Sequence, residues 1–242
     1  MAWQHPIHGT AYHWLLGDRP GGCLGESLLM LFGNPDLFDA RTVKGQFEDV
    51  QPVGVFLKGR HRGTDVAFTT PKFGAPAVAM YLEVAAMAGL RRVIGIGYVG
   101  GLQEEVLVGD LFLPTRAVGL DGTSRSYFGE RRAFEATPRL GAELEQGARA
   151  AGIGLHRGTI VSIDALMLET REQIEEWHAA GYSAVDLETA CLFGLGVKLG
   201  LDCAALHIVS DNPFRGDADR ERRHRASLSG QVRLALESLG SR

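Results

Sequence analysis

Val93-Ile94-Gly95-Ile96-Gly97-Tyr98-Val99-Gly100-Gly101 is an apolar run whose glycines at 95, 97 and 100 have the spacing GxGxxG. In a dinucleotide-binding turn such glycines lie between a strand and a helix whose amino end faces the pyrophosphate, so the residues after Gly101 decide the reading. They are Leu102-Gln103-Glu104-Glu105-Val106-Leu107-Val108-Gly109-Asp110, then Leu111-Phe112-Leu113-Pro114. Two short apolar bursts broken by Gly-Asp predict a turn and a new strand and leave no room for a helix of about ten residues. The dinucleotide reading falls, and something else must need small residues here.

Working outward, period and punctuation predict strands near 12–16, 53–57, 64–70, 92–97, 110–118, 157–163, 183–188 and 203–210. Helices are predicted near 24–32, 75–88, 138–151, 170–180, 188–199 and 218–239, the clearest being 75–88, with Pro76 near its first turn and Gly89 just past its end. Strand-helix alternation predicts one α/β domain spanning 1–242, with a mixed, mostly parallel central sheet flanked by helices and a ligand at the carboxyl ends of its strands. The segment 121–136, rich in Gly, Ser, Arg and aromatics, reads as one long loop, either a lid or a surface excursion.

Bulk composition narrows the function classes. The 242 residues are 45% hydrophobic and 22% charged, enough for one large core, and the formal net charge of -4 gives no overall attraction for nucleic acid or an anionic membrane. A small-molecule partner is expected. Cys23, Cys191 and Cys203 form no CxxC pair, which argues against a zinc site or disulfide framework and for a reducing compartment. The amino terminus lacks a basic start followed by a long apolar run, and no segment reaches about 18 apolar residues, so a cytoplasmic protein is expected.

Two strand ends carry acids. In Ser183-Ala184-Val185-Asp186-Leu187-Glu188 the two carboxylates are two residues apart and share a face. A carboxylate there can accept hydrogen bonds from the adjacent hydroxyls of a ribose, or both acids can cap the helix that follows. Asp211 ends another apolar run before Asn212-Pro213. Between apolar walls its acid form would be favoured and could protonate a leaving group, while an Asp before Asn-Pro is equally an ordinary turn former.

Taken in order, Gly97–Gly101 with "VLVGDLFLPTRAV", then "GTIVSIDALM", "AVDLETACLF" and "LHIVSDNP", resemble the motifs of the purine nucleoside phosphorylase and uridine phosphorylase family. "LLGDRPG" and "TTPKFGAPAVAMYLE" resemble its phosphate loop and a ribose-contacting loop. The resemblance implies a nucleoside phosphorylase-like fold and a transferase that cleaves an N-glycosidic bond with phosphate as co-substrate, needing no metal or other cofactor. It implies that Glu188, beside Leu187 and Asp186, binds the ribose, and that Asp211 protonates a purine base, with His224 nearest to the family's supporting arginine. Phe73, Leu166 and Met167 fall at substrate-contacting positions, and Gly17, Arg19, Lys72, Gly97 and Tyr98 at phosphate-contacting ones. His5 and His8 fall where the family reaches into a neighbouring subunit, which implies a homo-oligomer built from dimers.

The sequence also departs from the family. The arginine two residues before the family's GT or GS glycine is Gly95 here, the following Ser or Thr is Tyr98, and the usual GDPxR loop reads Gly17-Asp18-Arg19-Pro20-Gly21. The aromatic that follows the family's SxD motif is replaced by Leu166 and Met167. Three readings stand at this point: a phosphorylase with a rearranged phosphate site, a hydrolytic nucleosidase, and a binder of nucleoside-like ligands without turnover.

Overall fold

The structure, a computed structural model, describes residues 6–33, 40–69, 73–130, 132–215 and 220–240; for 6, 40, 41 and 220–227 it describes the backbone alone. Helix α1 (Pro6–Leu16) leads through a glycine-rich loop into β1 (Ser27–Leu31), and α2 (Ala40–Lys44) precedes β2 (Glu48–Val53), β3 (Phe56–His61) and β4 (Thr64–Thr69). Then come α3 (Ala75–Met87), β5 (Arg92–Gly101), β6 (Leu111–Gly119), α4 (Gly122–Phe128), β7 (Ala133–Glu135), α5 (Pro138–Ala150) and β8 (Leu155–Ser162). A 3-10 turn at Leu166–Leu168 leads to α6 (Arg171–Ala179), β9 (Ala184–Asp186), α7 (Thr189–Leu199), β10 (Asp202–Asp211) and α8 (Arg220–Gly240).

Among the described residues the strands form one ten-stranded sheet. Strand β5 organises it. Its first half pairs in parallel with β1, its residues from Arg92 to Gly100 pair in parallel with β10, and its last two residues, Gly100 and Gly101, pair antiparallel with β9. Because β10 also pairs with β6, β6 with β8 and β8 with β9, these five strands close into a ring, and β1, β4, β3 and β2 extend from it as an open wing.

Parallel ladders join β1 to β4 and β5, β5 to β10, β6 to β8 and β8 to β9. Antiparallel ladders join β2 to β3, β3 to β4, β5 to β9, β6 to β7 and β6 to β10. The sheet is therefore mixed, without the parallel majority expected. Helix α7 is buried through Gly196 on one side of the sheet, packed on α3, while α5 and α8 cover the other.

Four local expectations are corrected. The segment 12–16 is the end of α1, and 24–32 contains β1. All five residues of β1 are buried, and a short apolar run buried on both faces has no period by which to distinguish strand from helix. The segment 121–136 holds α4 and β7: the Asp121 carboxylate accepts the Ser124 N–H at 2.7 Å and caps α4. The expected strand at 53–57 straddles the β2–β3 turn. No described helix is long and apolar enough to cross a membrane.

Candidate active site

A cavity of about 370 Å³ opens where β1, β5 and β10 end and α7 begins. It lies at the carboxyl ends of parallel strands, where side chains from several elements converge and backbone pairing stops. Glu188, Leu187 and Asp186 reach it from the β9–α7 junction, Tyr98 and Gly100 from β5, and Ser210 and Asp211 from β10.

Asp186 and Glu188 do different work although they share a face. Asp186 is buried; its Oδ2 accepts the Thr189 N–H at 3.0 Å and the Thr189 hydroxyl, and its Oδ1 accepts the Ser162 hydroxyl. Ser162 Oγ accepts the Ala190 N–H at 2.9 Å, so two side chains cap the start of α7. His207, fully buried, continues the network: its Nε2 lies 2.9 Å from Thr189 Oγ1, and because that hydroxyl donates to Asp186, Nε2 carries the proton. Burial holds His207 neutral, its pKa lowered to about 3.

Glu188 is equally buried but points across the cavity floor. Its Oε1 accepts the Gly74 N–H at 2.7 Å, just ahead of α3, and its Oε2 accepts the Leu187 N–H at 3.2 Å. Burial, and then the charge of Asp186, raise its pKa from 4.5 to about 8, against the opposing pull of those two donors.

At the other end of the cavity Asp211 sits beside Ser210. The Ser210 hydroxyl is within hydrogen-bond reach of Asp211 Oδ1 and lies 3.0 Å from the Val99 carbonyl, which pins the carboxyl group against β5. A side chain at Gly100 would begin 3.6 Å from Asp211 Oδ2 and 3.1 Å from Val185 Cγ1, so glycine there keeps the acid open to the cavity. Glu169, which the sequence reading passed over, also lines the cavity, and burial together with the charge of Asp211 raises its pKa. Its signal was an acid between the apolar turn 166–168 and the Thr170 cap of α6, easily taken for a helix-start residue.

The glycines of the opening stretch now have their reason. A Cβ at Gly95 would lie 2.6 Å from Phe32 Cζ and 2.9 Å from Leu192 Cδ2, and one at Gly97 would lie 3.0 Å from Phe32 Cβ. The aromatic ring of Phe32, itself a wall of the cavity, occupies the space over Gly95, where the resembling family has an arginine. Gly97 and Gly95 are strand residues that make room for this ring, and Gly97 is not a cavity residue. Tyr98 does line the cavity, its hydroxyl pKa raised by burial.

The phosphate loop expected at 17–21 is not at the cavity. The Arg19 guanidinium donates to the Leu16 carbonyl at 2.8 Å, and its loop runs to Gly22, whose N–H donates to the Ala88 carbonyl at the far end of α3. Glu26 then accepts from the N–H groups of Arg91 and Arg92 at the amino end of β5, the end opposite the cavity. The segment 12–16 ahead of this loop is the end of α1, so the loop follows a helix and not a strand. In sequence, β1 and Phe32 are followed by Gly33-Asn34-Pro35-Asp36-Leu37, which has the Gly-x-Pro of GDPxR with leucine in place of the arginine; of these five only Gly33 is described. Gly33 lines the cavity.

Phe73 and Leu166 line the cavity, both more than half exposed, whereas Met167 is 93% exposed and does not line it. His8 turns to its own chain, with Nε2 3.8 Å from Glu83 Oε2. His5 and Lys72 lie outside the described residues, and His224 is known as a backbone position in α8. The described lining of the cavity thus contains four carboxylic acids and no lysine or arginine. No group of three or more His, Cys, Asp or Glu among the described residues could hold a metal ion.

Comparison with known proteins agrees with this architecture. The guanosine phosphorylase of Halorubrum lacusprofundi is 30% identical over 192 residues, covering 76% of this chain and 79% of the relative. A DeoD-type purine nucleoside phosphorylase of Alkaliphilus metalliredigens is 28% identical over 181 residues, covering 74% and 78%. The crystal structure of uridine phosphorylase from Vibrio fischeri ES114 superposes with a TM-score of 0.76 at 22% identity, covering 91% of this chain and 95% of that one, which shows the shared fold. The model of the phosphorylase superfamily matches residues 34–238, and the chain belongs to this enzyme family.

Proposed function

We propose that the protein cleaves the N-glycosidic bond of a purine nucleoside by phosphorolysis, releasing the free base and ribose 1-phosphate. The observation that carries this reading is the placement of Glu188 and Asp211 in one cavity, each held by its own backbone or hydroxyl partners. The Glu188 carboxyl group faces the sugar hydroxyls. Asp211, in its acid form, gives its proton to a ring nitrogen of the base as the bond to C1′ breaks, so the base leaves neutral and Asp211 becomes a carboxylate. A phosphate oxygen forms the new bond to C1′. Asp186 and His207 position Glu188 indirectly by fixing the start of α7.

One observation favours a second reading, hydrolysis. The ring of Phe32 fills the space over Gly95, and the described lining residues offer an oxyanion no cationic side chain. Arginine forks bind phosphate by paired charge-assisted bonds, which backbone dipoles replace weakly. Incubating the protein with a nucleoside panel, with and without phosphate, separates the two. Ribose 1-phosphate formed only with phosphate supports phosphorolysis, free ribose at an equal rate without phosphate establishes hydrolysis, and no cleavage under either condition refutes both. Completion of the site by a second copy of the chain, in a cytoplasmic homo-oligomer, belongs to the same proposal; a monomer by light scattering at micromolar concentration removes that part.

A further inference from the structure

Glu169 has no part in the chemistry above, yet it faces the same cavity as Asp211. Its Oε1 is buried and has no hydrogen-bond partner among the described residues. Its backbone is fixed on both sides: its N–H donates to the Leu166 carbonyl at 3.3 Å, and Thr170, the next residue, caps α6 through a reciprocal pair with Gln173. A buried carboxylate oxygen without a donor costs free energy that a ligand bringing the donor recovers.

Asp211 and Glu169 line the same cavity, so a base bound there meets both carboxyl groups, and the charge of Asp211 adds to burial in raising the Glu169 pKa. In the proposed reaction Asp211 brings the proton and the open Glu169 oxygen is an acceptor, so the two present one donor and one acceptor to the base. The edge of a purine carrying the imidazole nitrogen N7 and the substituent at C6 presents an acceptor and a donor when that substituent is an amine, and two acceptors when it is a carbonyl oxygen. The one-proton pair matches the first pattern and leaves two oxygens facing each other in the second.

We infer that Glu169 is a specificity-determining residue that, paired with Asp211, selects a 6-aminopurine nucleoside over its 6-oxo counterpart. The inference rests on the proposed purine-nucleoside reading and adds the identity of the base.

Adenosine and inosine differ at that edge and at the adjacent ring nitrogen, which makes them the probe. The wild-type protein is expected to favour adenosine in kcat/KM by roughly ten- to a hundredfold, the scale of one hydrogen bond to a charged group. In Glu169→Gln the amide can turn either its oxygen or its nitrogen to the base, so the preference should collapse to within about threefold, while Glu169→Asp should keep its sign. Equal or better use of inosine by the wild type overturns the inference. So does a preference unchanged in Glu169→Gln, even if that variant melts at a lower temperature, since Glu169 would then be structural alone. If neither nucleoside is cleaved with phosphate or in water, the cleavage reading fails separately. Calorimetric binding of adenine against hypoxanthine then tests the inference alone: adenine preferred by the wild type and not by Glu169→Gln sustains it, and any other result, including no binding, ends it.

Discussion

The ring of Phe32 lies so close over Gly95 that a Cβ at that glycine would sit 2.6 Å from Phe32 Cζ. This contact packs Phe32, which follows β1 and lines the cavity, onto β5. Phe32 also stacks on the buried His207, with ring centroids 6.1 Å apart. Gly95→Ala is expected to destabilise the protein by about 1–3 kcal/mol, the cost of overpacking a filled core. Combined with Phe32→Leu, which frees space over the same atom, it should cost less than the sum of the single changes. Urea unfolding of the two single variants and the double variant checks this, and additive losses would show that the ring does not restrict Gly95.

Phosphate, if it is the nucleophile, meets a cavity whose described walls are acidic and aromatic. Half-saturation above about 1 mM is expected, equivalent to binding weaker than about 4 kcal/mol. Arg19→Ala should leave that dependence unchanged, because its guanidinium is bound to the Leu16 carbonyl in a loop leading away from the cavity. A phosphate titration of both proteins decides the point; micromolar saturation, or its loss in Arg19→Ala, contradicts the placement described.

Asp211→Asn preserves the shape of the side chain and the reach of Ser210 but has no acidic proton to give. Turnover of a purine nucleoside should fall by about 10²–10⁴-fold, the range of a general acid's contribution, with a smaller change in KM. Single-turnover kinetics at saturating substrate read it directly. An undiminished rate would assign the proton to another group.

Glu188 gives the stability a pH dependence whose sign follows from its shift. The folded protein keeps the proton up to a pKa of about 8, whereas the unfolded chain releases it near 4.5, so the folded state binds the extra proton between those values. Stability from this group is therefore greatest at the acid end of the window and declines as the pH rises through it. In Glu188→Gln the decline should disappear, making the variant progressively more stable relative to wild type from pH 5 to pH 8. Parallel pH profiles of the two proteins in chemical denaturation would show that Glu188 titrates normally.

The sequence by itself determined the alternation of strands and helices from 64 onward, apart from α4 and β7 within 121–136, because α3, α5, α6 and α7 have proline, capping or glycine signals at their ends and β5, β6 and β10 are long apolar runs. It also placed Glu188 and Asp211, since a polar break after such a run is a local event. The first 60 residues were decided by tertiary structure. Ser27–Leu31 is a strand because β4 and β5 flank it and bury both faces, a fact no local period records. That one assignment takes the segment 17–21 away from the cavity, which Phe32 and Gly33 line instead. Pairing across the chain also decided why Gly95 and Gly97 are small, through a phenylalanine about 60 residues away, and brought Glu169 to the cavity of Asp211 from a turn where its sequence neighbours suggest only a helix start. Side-chain packing and like-charge proximity depend on distances between segments far apart in sequence, and those distances exist only once the sheet has closed.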